Sequence, residues 1–143
     1  MQTANALCLF LALSGSAALA DPGTDFIGAA LNRAAYAESQ ESHLRDLIAT
    51  HPGNAGLLLR LGALLGREQR WPEARLAYAR ADELAAGQAD TLYNLAVCLD
   101  HLEQTGAAIR HYRKALELAA EQAHNFPQAM VRQRLSQLQA ALP

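Results

Sequence analysis

Ala55-Gly56-Leu57-Leu58-Leu59-Arg60-Leu61-Gly62-Ala63-Leu64-Leu65 is answered 34 residues later by Ala89-Asp90-Thr91-Leu92-Tyr93-Asn94-Leu95-Ala96-Val97-Cys98-Leu99. The match continues beyond these stretches. Ala74 pairs with Ala108, Tyr78 with Tyr112, Ala81 with Ala115 and Leu84 with Leu118. Self-similarity at this period marks a helix-turn-helix unit that buries its apolar face by stacking on copies of itself. Residues 55–88 and 89–122 are therefore read as two repeats. Proteins built this way present a surface along the stack.

Within each unit the apolar spacing is helical. Leu58, Leu61 and Leu65 fall at i, i+3 and i+7, which places a first helix over about Ala55–Glu68. Gly62 lies on the same face and is expected to let the second helix come close. Pro72 suits the first turn of that second helix, where its missing N–H has no intrahelical partner to lose. Ala74, Tyr78 and Ala81 form the facing stripe, Ala79 is expected to face solvent, and Gly87 offers a left-handed C-cap.

Outside the pair the pattern weakens. Residues 21–54 read as a degenerate first repeat, with one helix over about Asp25–Ala35 and another over about Glu41–Thr50. Gln40 occupies the place of a small landmark residue. Residues 123–143 read as a capping helix opened by Pro127, with Met130, Val131, Leu135, Leu138 and Leu142 on its apolar side. About seven helices are expected in all. The 31 alanines and 25 leucines favour helix and leave little for strands.

The first twenty residues carry no Asp, Glu, Lys or Arg, and Ala18-Leu19-Ala20 precedes Asp21-Pro22. This is the pattern of a cleaved secretory signal peptide, 1–20, leaving 21–143 as the mature domain. No membrane span is expected in that domain. The formal charge of −2 supplies no basic field for nucleic acid. Cys98 would be left without a disulfide partner and reads as a small buried hydrophobe. No two of the five histidines stand three or four residues apart, so no helical metal pair is present, and no cofactor is expected. His101 follows Cys98 by one helical turn, but a catalytic pair is disfavoured because Cys98 belongs to the apolar Leu95–Leu99 run expected to face the helix pack. The chain is read as non-enzymatic.

The landmarks Leu58/Leu92, Leu61-Gly62/Leu95-Ala96, Trp71, Ala74/Ala108 and Tyr78-Ala81/Tyr112-Ala115 resemble those of the tetratricopeptide repeat. Two departures stand out. Ala86 and Ala120 replace the terminal proline, and Leu65 and Leu99 replace a tyrosine of the first helix. The resemblance implies an all-α, right-handed superhelical solenoid of three helix-turn-helix repeats plus a C-terminal capping helix. It also implies a concave groove for a protein or peptide, lined by Leu59, Arg60, Ala63 and Arg67 from the middle repeat. The third repeat contributes Asp90, Tyr93, Asn94, Val97, Asp100 and His101, and the first contributes Asp25, Ala29 and Asn32. Groove residues are expected to carry little structural duty. Leu59 and Ala63 stand where some relatives place the Lys and Asn that clamp a C-terminal carboxylate, so a chaperone-tail receptor is not implied.

The run from Tyr93 to Leu102, with Arg132-Gln133-Arg134-Leu135 after it, is also similar to tetratricopeptide proteins that accompany type IV pilus or type II secretion systems. The functional expectation is an exported, periplasmic adaptor for a larger envelope complex. The alternative is a structural module that forms a homo-oligomer through the apolar side of the C-terminal helix.

Overall fold

The computed structural model describes residues 22–141. Among them are six α-helices and no strand: α1 (Pro22–Thr50), α2 (Ala55–Arg67), α3 (Trp71–Leu84), α4 (Ala89–His101), α5 (Thr105–Leu118) and α6 (Gln128–Ala140). The expected leader, residues 1–20, and Leu142 lie outside the described residues. Two compact units are distinguished, one ending at Ala34 and the other spanning Ala35–Pro143. The described part of the first is helical, with Ile27 and Leu31 exposed.

Two separate helices were expected in residues 25–50, and α1 instead runs without a break. The physical reason is local. Tyr36-Ala37-Glu38-Ser39-Gln40 contains no glycine or proline to stop a helix. The Gln40 amide also donates to the Tyr36 hydroxyl one turn earlier at 2.7 Å.

In the second unit α2 packs on α3, α3 on α4, α4 on α5 and α5 on α6, each helix beside its neighbour in sequence. The apolar landmarks of both repeats are buried: Leu58, Leu61, Leu65, Ala74, Tyr78 and Ala81, then Leu92, Leu95, Ala96, Leu99, Ala108, Tyr112 and Ala115. This is an all-α helical repeat. Gly62 performs the expected task, and a Cβ built there would lie 2.8 Å from the Tyr78 ring. Ala79 departs from expectation. It is half-buried against the core, because the stripe of α3 that meets its neighbours is wider than the landmarks indicate.

The turns repeat as faithfully as the helices. Gln69 and Glu103, one period apart, both adopt left-handed backbone, with φ of 58° and 57°. Arg70 N–H bonds the Leu65 carbonyl and Gln104 N–H the Leu99 carbonyl, each at 2.9 Å. Gln69 N–H and Glu103 N–H bond the carbonyls of Gly66 and Asp100. These are Schellman C-caps with a side chain where glycine is usual. Gln69→Gly and Glu103→Gly should therefore each stabilise the protein, by about 0.5–1 kcal/mol, since the left-handed penalty outweighs the entropy of a freer unfolded chain. Urea titration checks the sign. Gly87 already holds this conformation, with φ of 77°, as its sequence position predicts.

Adjacent units are also fastened by polar contacts. Gln122 donates to the Gly87 carbonyl at 2.9 Å and accepts from Ala89 N–H at 3.3 Å. Toward the other end, Glu41 of α1 and Glu73 of α3 both engage Arg70. The hydrogen-bonded guanidinium holds both carboxyls below their ordinary pKa.

On α6, Val131 and Leu138 are buried and Leu135 packs partly on the core. Met130, expected on the apolar side, is 67% exposed. The face of α6 that meets α5 carries Val131, Leu135 and Leu138, and Met130 lines the cleft outside it.

Candidate protein-binding groove

The face expected to form the groove carries equivalent stripes on two first helices. Gly56, Arg60, Ala63 and Arg67 follow one another at helical spacing on α2, and Asp90, Asn94, Val97 and His101 do so one period later on α4. A cleft of about 250 Å³ lined by Asp90, Tyr93, Asn94, Asn125 and Phe126 opens beside α4, and two more lie along this face. The first of those two, of about 250 Å³, is lined by Ala63, Gly66, Arg67, Trp71, Tyr78, Asn94, Val97 and Cys98. The second, of about 360 Å³, is lined by Tyr93, Asp100, His101, Tyr112, Pro127, Met130, Val131 and Arg134.

The clefts are repeats of each other. Gly66, Arg67, Tyr78 and Val97 of the first correspond at the 34-residue spacing to Asp100, His101, Tyr112 and Val131 of the second. Each is floored by a tyrosine from the second helix of its unit. Thus α6 takes the place that the first helix of a further repeat would occupy. A flat stack joins the clefts: the Trp71 and His101 rings lie 3.8 Å apart with planes inclined by 2°.

Seven of the nine groove residues named from the sequence therefore meet in clefts. Ala63, Arg67, Asn94 and Val97 line the first, and Tyr93, Asp100 and His101 line the second. Leu59 and Arg60 line neither. Leu59 is half-buried against the core, and Arg60 is exposed. Ala29 and Asn32 are exposed on α1, in the unit that ends at Ala34.

The expectation that groove residues carry little structural duty is overturned for the third repeat. Asp100 accepts two charge-assisted bonds from Arg134, at 2.7 and 2.8 Å, and a third from the Tyr112 hydroxyl at 3.3 Å. Its side chain is only 12% exposed. Tyr93 stacks on Phe126 with ring centroids 4.7 Å apart. Asp90 accepts from the backbone N–H and the side-chain amide of Asn125, both at 2.8 Å. Segment 125–134 thus draws on the groove side of α4 that a partner would otherwise meet.

Sequence reasoning missed Trp71, Tyr78 and Gly66 as cleft residues and Phe126 entirely, and it named Arg134 only as part of the C-terminal helix, not as a partner of Asp100. The period itself carries part of the signal, because shifting either cleft by 34 residues generates half of the other.

The buried Cys98 does not behave as an activated thiol. It is 2% exposed, and burial pushes its pKa up to about 11. A nucleophilic cysteine needs the opposite shift. Its neighbour His101 is exposed and engaged with Trp71. Among the described residues no group of three or more His, Cys, Asp or Glu could hold a metal ion. No described helix is long and apolar enough to cross a membrane.

A search of curated proteins returned no match. Among protein families, residues 89–121, which contain all of α4 and α5, match the model described as Tetratricopeptide repeat, a unit characteristic of protein-interaction modules.

Proposed function

We propose that this chain is an exported adaptor that holds a segment of a partner protein in its concave clefts and supports assembly of a larger envelope complex, such as a pilus or secretion system. The observation that carries the binding role is the recurrence of one cleft at the repeat spacing, each copy joining an apolar floor to a few polar groups. That combination, rather than area alone, is what orients and retains a ligand. The export reading rests on the uncharged leader and the Ala18-Leu19-Ala20 site, and the periplasmic reading adds to it the Ala/Leu/Arg-rich, cysteine-poor composition of the repeats behind that leader. The envelope-complex reading rests on the resemblance carried by Tyr93–Leu102 and Arg132–Leu135.

The test is affinity capture from native periplasm, followed by titration of the captured partner against wild type and an Arg67→Glu/Asn94→Ala variant. Arg67 and Asn94 line the first cleft without fastening one helix to another, so the variant should keep its helical content. Affinity should fall at least tenfold, about 1.4 kcal/mol. Undiminished affinity would move the binding surface off the concave face. The native protein should begin at Asp21; a retained Met1 would contradict export.

A further inference from the structure

Ala37–Thr50 of α1 stands one period before α3, and α3 one period before α5, so these three helical stretches carry equivalent outward stripes at a spacing of four residues. Leu44 confirms the register, being buried where Tyr78 and Tyr112 are buried. Glu41 pairs with Arg70 and Arg45 with Glu73, which sets this part of α1 beside α3. The outward positions have diverged in charge. Ser42 and Asp46 of α1 become Leu76 and Arg80 on α3, then Arg110 and Lys114 on α5, all of them exposed.

One face of the protein is thus acidic at one edge, basic at the other and partly apolar between. At the acidic edge Glu38 stands two turns before Asp46, and neither enters an ion pair among the described residues. In the middle Leu76 is 59% exposed and Leu84 44%. At the basic edge Lys114 has an exposed bond to Glu117 on its own helix, an arrangement worth little. A cleft of about 220 Å³ opens there, lined by Leu92, Arg110, His111 and Lys114.

We propose that this face pairs with the same face of a second copy of the chain. The order of charges dictates the geometry. An isologous pair has a two-fold axis, and every contact in it occurs twice. With the axis parallel to α3, each α3 lies beside its copy, and the acidic α1 of one chain meets the basic α5 of the other. With the axis across the helices, α1 would meet α1 and α5 would meet α5, setting like charges together. Complementarity of this kind selects the first arrangement and suppresses the second. Leu76 then packs near its own copy, Arg80 comes within reach of Glu83 of the second copy, and Asp46 enters the cleft beside Lys114 of the second copy. The charges are exposed, so the pair is reversible and weakened by salt. The groove stripes on α2 and α4 take no part, and the inference stands independently of the adaptor reading.

Sedimentation velocity on the purified protein, over a concentration series, tests this. A dimer is expected that dissociates on dilution and weakens at least tenfold as salt rises from about 0.05 to 0.5 M. Asp46→Lys and Lys114→Glu should each weaken dimerisation at least tenfold, because each reverses a contact made twice. Both side chains are exposed on helix surfaces, so circular dichroism and melting should match wild type. Mixing the two variants should restore the dimer. In the mixed pair the introduced lysine faces the introduced glutamate, and the other contact is the native one. A protein that stays monomeric at the highest attainable concentration would overturn the proposal. So would a dimer indifferent to both reversals, as one held through α6 would be, or a mixture no more dimeric than its components. None of these outcomes bears on the groove, which the partner titration decides.

Discussion

Gly62→Leu should destabilise the protein by about 1–3 kcal/mol, and Ala74→Leu by a similar amount, while Arg80→Leu leaves the denaturation midpoint within about 0.5 kcal/mol of wild type. The cause at Gly62 is steric. Even a Cβ there would press to 2.8 Å on two atoms of the Tyr78 ring, and that ring, 6% exposed, has little room to yield. Ala74 is fully buried, and Arg80 on the same helix is exposed. Gly66 supplies the contrast within α2. Gly66→Ala should stabilise by about 0.5–1 kcal/mol, because helix propensity improves and nothing is crowded. Chemical denaturation of the four variants checks the order. A neutral Gly62→Leu would mean that α2 and α3 do not meet along the Gly62–Tyr78 line.

Phe126→Ala should cost about 3 kcal/mol and Tyr93→Ala about 2 kcal/mol, with the double variant less destabilised than the sum by about 0.5–1.5 kcal/mol. Phe126 is 5% exposed and its ring lies nearly parallel to that of Tyr93, at 15°. Tyr93 is half-buried against the core, which sets its cost below that of Phe126. The shortfall from additivity measures the stack, provided each single change removes only that contact. Full additivity by urea titration would show that the rings do not interact. Tyr93 therefore serves stability, and loss of partner affinity in Tyr93→Ala would not by itself locate the binding site.

Partner binding is better probed where the groove is unoccupied. On the third repeat, Asp100 and Asp90 are satisfied by Arg134 and Asn125, and Tyr93 by Phe126. On the middle repeat, Arg67 is unpaired among the described residues and lines its cleft with Asn94. Substitutions on α2 thus separate recognition from folding more cleanly than substitutions on α4.

The all-α repeat, the extent of α2, the buried landmarks, the left-handed Gly87 and the buried Cys98 are all written into the chain by period and residue type. Burial between stacked copies demands the same small or large side chain at the same offset, so one repeat predicts the next. Most of the groove was legible through the family resemblance: the concave positions it implies include Ala63, Arg67, Asn94, Val97 and His101, which helical spacing sets along two matched stripes. Where the copies stop agreeing, only the tertiary structure decides. The continuous α1 follows from the absence of a helix breaker around Tyr36–Gln40, where a polar composition gave no periodic signal. Ala79 is half-buried because packing width, unlike periodicity, depends on the neighbouring helices. The loop before α6 brings Phe126 onto Tyr93 and Arg134 onto Asp100, contacts 33 and 34 residues apart that no local pattern encodes. Those long-range pairings determine which groove residues bind inward.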